Sequence, residues 1–172
     1  MADKHLRRYT TLPHLLDILI TSEITFSNPD NWDDKNDQYG MNIYKDKKAL
    51  KTLLALCFTQ GKEEYHHWRV FCGKDDGVCI HFNRELFLPI FKPRDGFKKN
   101  DMQYMKSDNL DKIPPPLVKN LPFLKRKGYI GEQEYRIIYE NREKMSEKRM
   151  RFDINCIEKI RINPWVSDNG YE

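Results

Sequence analysis

Apolar residues recur along the chain in short runs, some at helical spacing and some alternating with polar residues, and no internal repeat is present. A helix is expected from Thr11, because Pro13 suits a first helical turn and apolar residues recur from Leu15 to Leu19. A second helix is expected from Glu63. Short strands are expected at 6–10, 24–26, 56–59, 77–82, 134–139 and 157–162, with an edge strand at 101–106.

The stretch 28–40 shows neither the helical spacing nor the strand alternation of apolar residues, and it is rich in Asn, Asp and Pro. It is therefore predicted to be a long polar loop. Two further helices are predicted, at 49–54 and 117–127. Neither a βαβ rhythm nor a glycine-rich phosphate loop is present. The expected fold class is therefore α+β, a single compact domain over residues 1–172 with several short, mostly antiparallel strands and flanking helices.

Composition supports a globular chain. Its 172 residues can bury one core but hardly two, and an aromatic content of 12% excludes a disordered chain. No apolar run approaches the roughly 20 residues of a membrane helix, and residues 1–8 lack the apolar segment of a secretory signal. We therefore expect a cytoplasmic protein without a membrane partner. Four cysteines stand mostly in apolar contexts without close pairing, as reduced core thiols do: Cys57, Cys72, Cys79 and Cys156.

The most unusual segment is 131–136, where Glu132, Glu134 and Arg136 precede an apolar run that predicts a buried strand. Strand alternation sends the three charged side chains to one face. Such a face is either a solvated ion pair, worth about 0 to 1 kcal/mol, or the wall of a cleft that handles a cation, a ribose or a phosphate.

Metal binding has two weak candidates. Cys79 and His81 share a strand face, and His66, His67 and Cys72 precede them, but the spacing matches no standard zinc pattern. The acidic stretch 30–37 is dense in hard oxygen ligands, yet it lacks the central glycine and closing glutamate of a calcium loop. The favoured interpretation assigns the first set to the core and the second to a solvated turn, with no metal.

A net charge of +4 permits a phosphate-bearing partner without requiring one. Basic side chains cluster at 92–99, 125–127 and 142–151. Charge runs are usually solvated faces, but the interspersed aromatic residues Phe91, Phe97 and Tyr129 offer surfaces on which bases could stack. A nucleic-acid partner is thus one hypothesis.

A second hypothesis comes from the order of three residue types. Cleaving the nicotinamide–ribose bond of NAD needs a cation for the pyrophosphate, a hydroxyl beside the nicotinamide ribose and a carboxylate for the developing oxocarbenium ion. The chain offers Arg8, then Ser27 or Thr59, then the pair Glu132 and Glu134. NAD is therefore the candidate substrate.

Several segments resemble the bacterial and phage domain-of-unknown-function family 2971, and the resemblance covers nearly the whole chain. The segments that carry it are 6–10 (LRRYT), 24–29 (ITFSNP) with 32–34 (WDD), 57–59 (CFT), 67–71 (HWRVF), 77–82 (GVCIHF), 129–136 (YIGEQEYR) and 157–160 (IEKI). The chain departs from that family's pattern at Asp33, Lys35, Phe71 and Tyr129, where the family usually has Asn, Pro, Tyr and Trp.

The order of these elements also resembles the DarT-type ADP-ribosyltransferases, which use NAD to modify nucleic-acid bases. That resemblance implies an ADP-ribosyltransferase-like fold and a catalytic glutamate on the last strand but one. It would assign Glu134 to the ribose and the oxocarbenium ion, and Glu132 to the acceptor, which would be a nucleic acid or a protein.

The same resemblance implies a cofactor pocket built from six further residues. Arg8 would hold the pyrophosphate, Ser27 or Thr59 would brace the nicotinamide pocket, and Arg136 would set the ionisation of the carboxylates. Trp68 and Phe71 would wall the pocket. The function expected is an effector or toxin of bacterial or phage conflict, possessing NAD-dependent ADP-ribosyltransferase or NAD-cleaving activity.

Two non-enzymatic functions stay open. The chain could be a nucleic-acid-binding module of a phage-defence or counter-defence system, with the 125–127 region on phosphate. It could also be an inert protein partner or inhibitor that uses Trp32 or Trp165 as an anchor.

Overall fold

The computed structural model describes residues 4–72, 76–106 and 116–165. The helices in these residues are α1 (Leu12–Thr21), α2 (Lys35–Lys47), α3 (Tyr65–Phe71) and α4 (Arg84–Phe87). The strands are β1 (His5–Thr11), β2 (Glu23–Thr25), β3 (Thr52–Thr59), β4 (Gly77–Asn83), β5 (Phe97–Asp101), β6 (Gln103–Met105), β7 (Leu124–Arg126), β8 (Glu134–Asn141), β9 (Arg149–Arg151) and β10 (Ile157–Ile162). The predicted α+β class with mostly antiparallel strands is confirmed.

The chain divides into two compact units, each assembled from separated segments. Unit 1 comprises Met1–Ile24, Phe58–Ile90 and Met150–Glu172, and unit 2 comprises Thr25–Cys57 and Phe91–Arg149. The expectation of one domain over 1–172 stays a prediction.

In unit 1 the strands β10, β4 and β1 are neighbours in that order and run antiparallel. The register places Arg7 opposite His81 and Tyr9 opposite Cys79. The alternate residues of β1 and β4 point to the other face, where buried aromatic rings pack closely. Those rings include Phe58, Phe82, Phe87 and Phe152, with 4.5 Å between the centroids of Phe82 and Phe87.

In unit 2 the strand order is β3, β8, β5, and β6 pairs with β7 in parallel. The core here joins α2 to the sheet through Met41, Tyr44, Leu53, Ala55 and Ile138, all of them buried. The strand β5 is mostly polar. Only Phe97 of this strand is buried, so its polar side chains lie at or near the surface.

The prediction of a loop over 28–40 was wrong from Lys35 onward, where α2 begins. Asp34 caps this helix, because its Oδ1 accepts hydrogen bonds from the backbone N–H groups of Asn36 and Asp37. The buried face of α2 runs through Asp37, Met41 and Tyr44. The first residue of this face is Asp37, which is not apolar. The periodic pattern of apolar residues that predicts a helix is therefore incomplete in the sequence.

Two predicted helices were also wrong. Ala49 has a φ of 52°, in the left-handed region, and β3 begins at Thr52, so no helix forms at 49–54. At 117–127 a 3₁₀ helix at Val118–Phe123 gives way to β7. Pro122 lies inside that 3₁₀ helix and has no N–H to continue an α-helical ladder.

Among the described residues, no helix is both long and apolar enough to cross a membrane. The cysteines Cys57, Cys72, Cys79 and Cys156 are free thiols, and all except Cys57 are buried.

Candidate functional site

The residues predicted for an NAD site are divided equally between the two units. Unit 2 contains Ser27, Glu132, Glu134 and Arg136, and unit 1 contains Arg8, Thr59, Trp68 and Phe71.

In unit 2 the backbone turns at Gln133, the residue between Glu132 and Glu134. A 3₁₀ helix, Lys127–Glu132, ends in Gln133, whose φ of 42° is left-handed, and β8 then starts at Glu134. Alternation along β8 places Glu134 and Arg136 on one buried face. Glu132 reaches the same place from the 3₁₀ helix, so the expected juxtaposition occurs although Glu132 is not part of the strand.

Arg136 is the centre of this face and is 1% exposed. Its Nε and Nη2 donate to Glu134 at 2.7 and 3.1 Å, and its Nη1 and Nη2 donate to the two oxygens of Asp37 at 2.8 and 2.6 Å. Nη1 also donates to the carbonyl of Pro122 at 2.9 Å. These bonds occupy all five N–H donors of the guanidinium, and the indole of Trp32 lies 4.8 Å from it. Arg136 therefore positions other side chains and has no donor left for a phosphate.

Lys125 is the second cation in contact with these carboxylates. Its Nζ lies 2.5 Å from Glu132 Oε2, 3.1 Å from Glu134 Oε2 and 3.8 Å from Asp37 Oδ2. It also lies 5.0 Å from the ring centroid of Tyr129. Three carboxylates thus meet two cations within a largely buried group, which we call the charge cluster: Asp37, Lys125, Glu132, Glu134 and Arg136.

The two glutamates of the charge cluster differ in their acidity. Burial alone would raise the pKa of Glu134, but the charges of Arg136 and Lys125 outweigh burial and lower its pKa to about 2. Burial raises the pKa of Glu132 above its usual value, and the charge of Lys125 does not compensate. Glu134 is therefore a permanent anion at neutral pH, while Glu132 is the carboxylate that gains a proton more readily.

The surroundings of the two carboxylates differ in the same way. Both oxygens of Glu134 accept hydrogen bonds, and 5% of the residue is exposed. Glu132 is 8% exposed, and its Oε2 binds Lys125. Within the described part of the chain, no donor bonds to Glu132 Oε1. Among the carboxylate oxygens of the charge cluster, this is the one to which no donor of the described residues bonds.

Cys57 borders the charge cluster as a neutral thiol. Burial and the neighbouring Glu134 raise its pKa far above the usual value. The thiol bonds to Glu134 and helps to lower the pKa of that carboxyl. A nucleophilic role, which requires a thiolate, is not supported for this cysteine.

Ser27 is exposed and lies beside the charge cluster through one intermediate residue. Its hydroxyl donates to the carbonyl of Ala55 at 3.0 Å and accepts from the indole N–H of Trp32 at 3.4 Å. Because Trp32 also faces Arg136, unit 2 brings all four of its predicted residues into one neighbourhood.

In unit 1 the predicted residues do not share one surface. The guanidinium of Arg8 lies 6.0 Å from the ring centroid of Phe58. The next residue, Tyr9, points to the other face of β1 and packs against Trp68 at 5.2 Å and Phe71 at 6.0 Å. Arg8 is therefore on the opposite face of β1 from the two aromatic residues that the sequence grouped with it.

The remaining residues of that set differ in accessibility. Trp68 is 2% exposed, and its indole N–H donates to Glu63 at 2.9 Å, so it is a core residue. Thr59 is buried opposite Arg7 in the strand register. Phe71 is 39% exposed and is the one of the three that a ligand can readily contact.

Two members of the charge cluster were missed from the sequence. Asp37 had been assigned to a solvated turn, and Lys125 to a basic run. A usable signal existed for Asp37, because Asp37, Met41 and Tyr44 stand at the i, i+4, i+7 spacing of a helix face. An aspartate on such a face requires a buried cation, but nothing local shows which one.

The other candidates from the sequence are not assembled. Across residues 4–72, 76–106 and 116–165, neither the cysteines with His81 nor the acidic stretch 30–37 forms a group with metal-ligand spacing. Lys125, expected on a phosphate-binding surface, is instead held by carboxylates.

No protein-family model matches the chain, and no curated protein or solved structure matches it either. The resemblance to family 2971 therefore rests on sequence motifs alone, and the resemblance to the DarT-type enzymes rests on the order of the elements alone. Both stay predictions.

The pH dependence of stability tests this description of Glu134. The unfolded chain protonates this carboxyl near pH 4.5, whereas the folded protein does so only near 2. The stability contributed by Glu134 is therefore complete above pH 4.5 and is lost as the pH falls toward 2. Urea unfolding, followed by tryptophan fluorescence between pH 6 and 3, should show a smaller pH dependence in Glu134→Gln than in the wild type. The exposed control Glu143→Gln should retain the wild-type slope, and an unchanged slope in Glu134→Gln would contradict the assignment.

Proposed function

We propose that the protein cleaves the nicotinamide–ribose bond of NAD, as an ADP-ribosyltransferase or a related NAD-cleaving enzyme, and that unit 2 carries the chemistry. The observation that supports this proposal most directly is the pair Glu132 and Glu134. Their oxygens flank one lysine at 2.5 and 3.1 Å, and their pKa values are moved in opposite directions. Two adjacent carboxyls with separated acidities are typical of sites that break glycosidic bonds.

The two carboxylates have complementary roles in this proposal. Breaking the N-glycosidic bond develops positive charge on the ribose, and a nearby fixed anion stabilises that charge. Glu134 is such an anion, because Arg136 and Lys125 keep it ionised. Glu132 would meet the substrate, since its Oε1 is available to accept a hydrogen bond from a ribose hydroxyl or to take the proton of the acceptor.

This proposal moves one role: the contact with the ribose hydroxyl, which the sequence resemblance assigned to Glu134, passes to Glu132, while Glu134 still stabilises the oxocarbenium ion and Glu132 still serves the acceptor. The reason is accessibility. Both carboxylate oxygens of Glu134 accept hydrogen bonds from Arg136 and Lys125. In this proposal Glu134 therefore acts on the substrate through the electric field of its charge. Arg136 and Asp37 are positioning residues that hold this anion in place.

Two aromatic side chains of unit 2 offer surfaces for a planar ring. Trp32 and Tyr129 are both half-buried, and each already faces a cation of the charge cluster. A pyridinium ring would stack on the ring face opposite to the one that this cation covers. The roles of Arg8, Thr59, Trp68 and Phe71 in NAD binding stay predictions from sequence, as do a nucleic-acid or protein acceptor and an effector role in bacterial or phage conflict.

The direct test is to incubate the purified protein with NAD, alone and with DNA, RNA or cell lysate, and to measure released nicotinamide. Release in at least one condition, with a rise in Tm on adding NAD, is the expected result. If nicotinamide release is absent in all conditions and Tm is unchanged, the proposal is wrong. Salt-sensitive nucleic-acid binding without NAD turnover would instead support the non-enzymatic alternative.

A further inference from the structure

Three side chains able to bind a metal ion converge where α3 begins in unit 1. Glu64 is the N-cap residue of this helix, and His66 and His67 lie in its first turn. One ligand atom from each of the three lies within 4.8 Å of the other two. The sequence pattern groups the two histidines with Cys72, Cys79 and His81, and the structure groups them with Glu64.

Two of the side chains are in direct contact, at a distance close to the spacing between ligand atoms around a metal ion. His66 Nδ1 lies 3.1 Å from Glu64 Oε2. In a tetrahedral zinc centre with bonds of about 2.1 Å, neighbouring ligand atoms lie about 3.4 Å apart. The Glu64 carboxylate is also not engaged in capping α3, because no first-turn N–H donates to it. A cation could therefore bind there without breaking a helix cap.

His67 provides the rigid part of the group. It is fully buried, and its ring packs against Tyr9 at 5.5 Å and stacks on Phe71 at 6.1 Å. The ring of His66 lies 4.2 Å away from it. Packing that fixes the orientation of one imidazole lowers the entropic cost of metal binding. Glu64 and His66 have side chains about half exposed, so an ion and its water ligands can reach them.

We propose that Glu64, His66 and His67 bind a divalent transition-metal ion of the zinc class, with water completing the coordination. Two imidazoles and one carboxylate suit Zn²⁺, Co²⁺ or Ni²⁺ and disfavour Mg²⁺ and Ca²⁺, which prefer oxygen ligands alone. The site lies entirely in unit 1 and is independent of the NAD chemistry proposed for unit 2. It would hold the start of α3 to the segment that precedes it.

The test is a titration of the purified, metal-stripped protein with Zn²⁺ by calorimetry, with Mg²⁺ and Ca²⁺ as comparison ions. Zn²⁺ should bind with a stoichiometry of one, and His66→Ala and Glu64→Gln should each weaken binding at least about tenfold. Changes outside the ligand shell already cost that much in known sites, so loss of a ligand should cost no less. The matched control is His14→Ala, which removes an exposed histidine of α1 and should leave the affinity unchanged.

A second measurement separates this site from adventitious binding. Co²⁺ bound to the wild-type protein should give a visible absorption spectrum typical of nitrogen and oxygen ligands, and His66→Ala should lose it while His14→Ala keeps it. Because the side chains of Glu64 and His66 are about half exposed, Glu64→Gln and His66→Ala should both fold. Wild-type affinity for Zn²⁺ in His66→Ala, or equal affinity for Mg²⁺ and Zn²⁺, would overturn the proposal.

Discussion

Replacing Arg136 by methionine is expected to lower the free energy of unfolding by about 3 to 5 kcal/mol. The side chain is 1% exposed and gives all five of its N–H donors to Asp37, Glu134 and Pro122. Its removal leaves two buried carboxylates with only Lys125 nearby. Losing one partner of a buried ion pair is costly because the remaining charge stays desolvated. Urea unfolding at pH 7 measures the change.

The controls separate charge from packing. Arg142→Met removes an exposed arginine from unit 2 and should change the free energy of unfolding by less than about 0.5 kcal/mol. Combining Arg136→Met with Asp37→Leu and Glu134→Leu removes the stranded carboxylates as well, and should recover much of the loss. A loss below about 1 kcal/mol in Arg136→Met would mean that the charge cluster is solvated.

Glu132→Gln is expected to lower kcat for nicotinamide release by about 10²- to 10⁴-fold, the usual contribution of a positioned acid or base. Glutamine keeps the size of the side chain and can still accept a hydrogen bond from Lys125, so Tm should change little. The wild-type rate should fall as the pH drops through the raised pKa of Glu132. This dependence follows because the carboxylate must be ionised to accept a proton.

Glu143→Gln is the matched control, since it removes an exposed carboxylate from the same unit. It should keep the wild-type kcat and pH profile. A variant Glu132→Gln that turns over NAD at the wild-type rate would contradict the assignment of this residue. If Glu134→Gln lost activity while Glu132→Gln kept it, the assignment made from the sequence resemblance would be preferred.

Several elements followed from local patterning. The strand at β8 was expected because Ile137 and Ile138 continue an apolar run, and both are fully buried. The helix α1 was expected from Pro13 and the apolar spacing after it. These predictions succeeded because each element carries its own periodicity, which depends on neighbours within a few positions.

The helix α2 was not predicted, because its pattern depends on a residue that is far away along the chain. Its buried face starts with Asp37, and a carboxylate in that position makes sense only when its cationic partner is known. That partner, Arg136, is 99 positions away along the chain. The spacing of Asp37, Met41 and Tyr44 fits a helix face, but a pattern of apolar residues alone does not count the aspartate as part of that face.

The charged segment 131–136 shows the same division in the candidate site. Residue types and spacing were enough to single out Glu132, Glu134 and Arg136 and to place the latter two on one face. Their pairing with Asp37 and Lys125, and with it the difference in acidity between the two glutamates, depended on long-range packing. A pKa is set by burial and by charges brought close in space, and neither is encoded at the positions that titrate.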